Sequence, residues 1–198
     1  MFIMFDRRKR PSRLGTKRLQ RFSSGVTATD RLFLAVLPDE ETAARIGDLA
    51  GRLRIGHGLT GAPLKPEHFH VTLCHVGDYV GLPADVIELV EERAASVAMP
   101  AFRIAFDRVM SFRNDAFVLS GDDSTIGLEI LQQRLSDALD GSPRQAQAFT
   151  PHLTLLRDSH HIPDQPIEPI SWTAREVVLV HSLLGKTTHR HLAHFPLQ

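Results

Sequence analysis

Cysteine is nearly absent: Cys74 is the only one in 198 residues. A disulfide framework and a cysteine-based zinc site within one chain are therefore excluded, and a reducing, cytoplasmic compartment is the expectation. No apolar run reaches the roughly 18–20 residues that a membrane helix needs, so no span is expected. Net charge is also lacking, with 23 Lys/Arg against 23 Asp/Glu. The balance is uneven along the chain. Residues 1–30 hold eight Lys/Arg and two Asp, leaving 15 Lys/Arg and 21 Asp/Glu for residues 31–198. A body of net negative charge is not a basic nucleic-acid platform in bulk, so any polyanion must be met at a local site. A hydrophobic share of 42% and a charged share of 23% are ordinary for a globular chain and exclude disorder over most of it. What the chain does have in quantity is histidine, eleven in all.

The first 30 residues read as a basic, disordered tail without apolar periodicity, from Arg7 to Arg21. An Arg-rich, acid-poor start also resembles an organelle transit peptide. Residues 31–198 read as one domain. Leu32–Leu37 is a short apolar run closed by Pro38, which predicts a buried strand. Asp39 is placed to cap a helix with Ile46, Leu49, Ala50 and Leu53 on one side. Gly56, Gly58 and Gly61 predict a flexible loop, and Phe69–Val76 a second strand. Pro83 opens a second helix that Pro100 ends. Strands are expected over 101–110 and 116–120, then a third helix from Asp123 or Ser124 that Gly141 and Pro143 stop. Phe149–Arg157 reads as a strand, Pro163, Pro166 and Pro169 as a loop, and Trp172–Leu184 as one long β-rich run. Gly185-Lys186 turns into a last strand ending near His194. The fold class is α+β, with more strands than helices.

One four-residue pattern occurs twice. His70-Val71-Thr72-Leu73 returns as His152-Leu153-Thr154-Leu155, each after a strand-helix-type stretch of similar size. The duplication suggests two related lobes facing each other. In a strand, residues i and i+2 share a face. His70 and Thr72 therefore point one way and their apolar neighbours the other, and His152 and Thr154 do the same. If the two strands meet, two imidazoles and two hydroxyls converge. That set suits reaction at a phosphodiester. An imidazole with a pKa near ~6.5 can be neutral or charged near neutral pH, so one ring can take a proton and the other give one. A threonine hydroxyl can donate to a non-bridging phosphate oxygen. No metal or other cofactor is needed for this scheme.

The segments Leu64–Gly77 and Thr150–Arg157 resemble the two signatures of the 2H phosphoesterases. Arg31–Pro38 and Trp172–Ser182 are similar to the branch of RNA 2′,3′-cyclic phosphodiesterases and 2′-5′ RNA ligases. The resemblance implies a bilobal α+β fold, two antiparallel sheets flanking a central cleft. It implies hydrolysis of a 2′,3′-cyclic phosphate at an RNA terminus to a 2′-phosphate, with 2′-5′ ligation as the reverse. By the same resemblance His70 is the proton donor, His152 the proton acceptor, Thr72 and Thr154 hold the phosphate, and Arg157 adds a charged phosphate contact. By regular strand parity Arg157 faces away from His152 unless a bulge re-aims it. His75 stands where the branch commonly carries an aromatic, and regular parity puts it opposite His70 and Thr72. Phe112 reads first as a core residue, with stacking on a base as the weaker alternative.

Rival readings are another cyclic nucleotide or a 2′-5′ oligonucleotide as substrate, and a non-catalytic module that binds RNA ends. His68-x-His70 and His189-x-His191, with His160-His161, could suggest a metal, but no H-E-x-x-H spacing accompanies them. The three glycines do not match G-x-G-x-x-G between a strand and a helix. A monomer acting on RNA ends, without membrane contact, is the expectation.

Overall fold

The computed structural model describes residues 27–121, 125–140 and 149–198. The basic tail through Val26, the proposed helix start at Asp123 or Ser124, and the stop at Gly141 and Pro143 lie outside the described residues.

The chain opens with β1 (Asp30–Val36), whose alternation decides its place: Leu34 and Val36 enter the main core, Phe33 and Ala35 the opposite face. The carboxylate of Asp39 accepts the Thr42 N–H at 2.8 Å and caps α1 (Glu40–Gly56). A 3₁₀ turn, Pro66–His68, leads into β2 (Val71–Tyr79). Then come α2 (Ala84–Ala95), β3 (Phe102–Ser111), β4 (Ala116–Ser120), α3 (Ile126–Asp140) and β5 (Leu153–Arg157). Last are β6 (Gln165–Ala174), β7 (Glu176–Leu183) and β8 (Thr188–Pro196).

The strands form two antiparallel four-stranded sheets, ordered β2-β1-β7-β8 and β5-β4-β3-β6. Each sheet takes one strand-helix-strand unit, β1-α1-β2 or β4-α3-β5, and puts its second strand at the sheet edge. The α+β class with two facing lobes follows, and the sheets do not close into a barrel. One core joins the lobes: Ile46 and Leu34 belong to the same buried cluster as Phe106, Phe117, Leu128 and Leu131.

Three expectations need correction. Pro166 and Pro169 lie inside β6, not in a loop. The strand is at a sheet edge, where a missing N–H costs no ladder bond. The run from Trp172 is broken at Arg175, and its halves belong to different sheets. Gly56 still belongs to α1, and Gly61 is held rather than free. A Cβ at Gly61 would stand 2.0 Å from the carbonyl oxygen of Arg157. Its N–H donates to Asp158 Oδ2 at 2.7 Å, alongside the Thr60 N–H at 2.6 Å, and the Leu64 N–H donates to the Leu155 carbonyl at 2.8 Å. The stretch after α1 is thus strapped to the edge strand of the other lobe.

Candidate active site

The two copies of His-x-Thr sit at the facing edges of the two sheets. In each, the apolar residues go into the shared core: Val71 and Leu73 in one, Leu153 and Leu155 in the other. His70, Thr72, His152 and Thr154 are left half-buried on the opposite side. This is the outcome the alternation predicts. Among the described residues neither threonine hydroxyl has a hydrogen-bond partner.

Each histidine precedes its strand and is pinned in the same way. His70 Nδ1 lies 2.7 Å from the carbonyl of His68, and His152 Nδ1 lies 2.7 Å from the carbonyl of Thr150. A carbonyl can only accept, so Nδ1 of each ring carries the proton. That fixes the tautomer and leaves Nε2 of both rings for proton exchange. Each ring also rests on a phenylalanine: Phe33 at 4.9 Å from His70, Phe112 at 4.8 Å from His152. Phe112 is half-buried against the site and belongs to neither core cluster, which corrects the expectation that it is a core residue.

The surroundings of the rings differ. Burial pulls the His70 pKa below its ordinary value; the His68 carbonyl opposes this, and the charges of His152 and His68 add to it. The rings of the two lobes are thus close enough for the charge of one to act on the other. His189, on β8, stands 5.4 Å from His70 and 4.9 Å from His68. Burial first, then the charges of His70, His68 and His191, hold its pKa down at about 4.

Both strands carry the same irregularity. In β2 the pairing with β1 jumps from Thr72 to Cys74 and skips Leu73; in β5 the pairing with β4 jumps from Thr154 to Leu156 and skips Leu155. A bulge reverses parity beyond it. Leu73 and Cys74 are consecutive buried residues, as are Leu155 and Leu156, and the next residues, His75 and Arg157, emerge exposed. Arg157 therefore lies on the side of His152 and Thr154, and His75 on the side of His70 and Thr72, correcting the regular-strand expectation for His75. Arg157 Nη1 donates to the Asn114 carbonyl at 3.0 Å, which anchors one arm of the guanidinium. His75 Nε2 is 2.9 Å from Asp78 Oδ1, and Asp78 takes two bonds from Arg31 at 2.7 Å.

Other histidines serve elsewhere. His161 Nε2 meets Asp115 at 2.9 Å, and His194 Nδ1 meets Glu176 at 3.0 Å. Among the described residues no three His, Cys, Asp or Glu side chains are grouped to hold a metal ion. The residues that sequence reasoning missed are Phe33 and His189. His189 drew notice as half of a His-x-His pair, but its approach to His70 spans the sheet and has no local signal.

Two facing sheets with a duplicated His-x-Thr at their adjoining edges define the two-histidine phosphoesterases. The model of the 2′-5′ RNA ligase superfamily matches residues 38–186. The chain belongs to that superfamily, the 2H phosphoesterases, and is an enzyme acting on phosphodiester bonds. Among solved structures it is similar to a protein described as a phosphoesterase (24% identity, TM-score 0.69, 86% of this chain and 99% of that one). It is also similar to E. coli LigT complexed with 3′-AMP (26% identity, TM-score 0.67, 86% and 99%). TT0787 of Thermus thermophilus shares the fold (22% identity, TM-score 0.62, 84% and 97%). No curated protein matches the chain in sequence. Among the described residues no helix is long and apolar enough to cross a membrane.

Proposed function

We propose that the protein is a metal-independent RNA 2′,3′-cyclic phosphodiesterase that opens a terminal cyclic phosphate to a 2′-phosphate. The carrying observation is the pair of imidazoles pinned alike through Nδ1 at 2.7 Å, so that both Nε2 atoms are free. In this reading His152 Nε2 removes a proton from water. The water oxygen bonds to phosphorus, the P–O3′ bond breaks, and His70 Nε2 gives its proton to O3′. Solvent returns His70 and His152 to their starting states. Thr72 and Thr154 donate their hydroxyls to the non-bridging oxygens, and Arg157 adds a cationic contact.

The asymmetry of the rings bears on the order of events. The empty cleft disfavours a proton on His70. A phosphate monoanion between the rings supplies the missing counter-charge, so the donor charges as the substrate seats. A 5′-hydroxyl in the place of water gives a 2′-5′ link, the synthetic direction of the same chemistry.

The test is incubation, in EDTA, with a short RNA ending in a 2′,3′-cyclic phosphate, followed by identification of the terminus. The expected product is a 2′-phosphate, and His70→Ala and His152→Ala each lower the rate by about 10²–10⁴-fold. Wild-type hydrolysis by both variants would refute the two-histidine reading. Tight nucleotide binding by the wild type without turnover would replace it with an RNA-end-binding module.

A further inference from the structure

A third imidazole stands in this cleft, and the scheme above leaves it without a task. His189 contacts three rings: His68 at 4.9 Å, His70 at 5.4 Å and Phe33 at 5.8 Å. All three belong to its own lobe. Its ring is half-buried, and among the described residues neither nitrogen has a hydrogen-bond partner. This differs from His70 and His152, whose Nδ1 atoms are each held by a carbonyl. Burial makes the ring resist protonation, and the neighbouring imidazoles add to this, so its pKa is held at about 4 and His189 is neutral across the neutral range. The titratable groups that face it are His70 and His68 from the start of β2 and His191 on its own strand. A neutral imidazole offers one donor and one acceptor and no charge. That is poor equipment for holding phosphate and good equipment for the edge of a base or a ribose hydroxyl.

Position agrees with chemistry. In the proposed reading the phosphate lies between His70 and His152, and the charges that act on His189 are all from the first lobe. In that reading His70 gives its proton to O3′ of the ribose, and His189 stands beside His70, 5.4 Å between ring centroids. We infer that His189 binds the nucleoside that carries the reacting phosphate, through hydrogen bonds from its free ring nitrogens, and does not take part in proton transfer. The inference rests on the two-histidine reading of the cleft for the position of the phosphate.

The experiment compares wild type, His189→Phe and His189→Gln in binding two probes, a nucleoside 3′-monophosphate and inorganic phosphate. KM, kcat and pH profile are measured on the cyclic phosphate RNA. Phe keeps an aromatic ring beside His70 and removes both polar atoms; Gln keeps a donor and an acceptor. Loss of one or two neutral hydrogen bonds predicts nucleotide binding about three- to tenfold weaker in His189→Phe. Phosphate binding stays within about twofold, KM rises, kcat is little changed, and neither limb of the pH profile moves. His189→Gln recovers most of the nucleotide affinity. In the wild type, the His189 ring signals in NMR shift on adding nucleotide and not on adding phosphate, a readout that needs no variant to fold. Unchanged nucleotide affinity in His189→Phe overturns the inference, as does an equal loss for both probes or a displaced pH limb, which would make His189 a support for His70. If the wild type binds neither probe, the reading of the cleft itself fails. If it binds phosphate and His189→Phe binds nucleotide normally, only the role of His189 fails.

Discussion

Replacing Gly61 with alanine puts one methyl group where the strap meets the second lobe. The new Cβ would stand 2.0 Å from the Arg157 carbonyl oxygen, 3.0 Å from its carbon and 3.3 Å from Leu156 Cδ1. Two of those three atoms are backbone, and no rotamer relieves the contact. Strap and β5 must separate by about an ångström, against three anchors. These are the Gly61 and Thr60 N–H groups on Asp158 Oδ2 at 2.7 and 2.6 Å, and Arg54 Nε on the Gly61 carbonyl at 2.9 Å. Overpacking of this kind costs about 1–3 kcal/mol, which for a chain of this size lowers Tm by roughly 2–12 °C. Because the strand being pushed carries His152, Thr154 and Arg157, kcat/KM on the cyclic phosphate RNA should fall as well. Gly51 is the internal control. It lies within α1, where a methyl added at its Cα would meet nothing within 4 Å, so Gly51→Ala should raise stability by about 0.5–1 kcal/mol. Urea unfolding and thermal melts of both variants decide the matter. A Gly61→Ala protein as stable as wild type, or a Gly51→Ala protein destabilised as much, would refute the steric argument.

Three further outcomes are expected. In an NMR pH titration of the free protein, His70 should lose its proton below the ordinary imidazole range and rise by about one unit or more when phosphate binds, since an anion about 4 Å away contributes 1–4 kcal/mol; a downward shift on binding would contradict the proposed seating. Arg157→Ala should raise KM by about ten- to a hundredfold, the worth of a charged hydrogen bond, with Arg157→Lys in between; a variant with unchanged KM would show that the guanidinium only braces Asn114. Asp158 is held well below the usual carboxylate range by the His160 and Gly61 N–H groups, then by Thr60. Its stabilising contribution is therefore full above pH ~4 and is lost as pH falls through the folded-state value. Asp158→Asn should destabilise the protein at pH 7 and weaken the dependence of its stability on pH below ~4, read by urea unfolding from about pH 7 down to about pH 2.

The elements with regular periodicity were legible in the sequence. β1, the three helices and the hairpin near Gly185 each carry a local pattern, and the His-x-Thr alternation predicts which side chains leave the core. The bulge in β5 enters the sequence reading only as an alternative for Arg157, and the one in β2 not at all, although both have a signal: Leu73-Cys74 and Leu155-Leu156 are apolar pairs that break the alternation at the same step. Reading that pair as two inward residues would have re-aimed His75 and Arg157. Pro166 and Pro169 misled because a proline excludes a central strand but not an edge, and edge position depends on sheet order. Arg175-Glu176 interrupts an apolar run, and this pair of charged residues is the trace of a change of sheet. The meeting of His189 with His70 is tertiary throughout.

Arg175 has a consequence for how the molecule comes apart. One residue separates β6 in one sheet from β7 in the other, and its carbonyl accepts the Leu197 N–H at 2.8 Å. Among the described residues, so short a crossing, added to the strap at Gly61 and the common core, leaves no hinge about which the halves could swing. Neither half can melt while the other stays folded. A single calorimetric transition, with calorimetric and van't Hoff enthalpies equal, is the thermodynamic signature. For the reaction it means that the spacing of the two imidazoles is set when the chain folds, and substrate binding spends none of its free energy on domain closure.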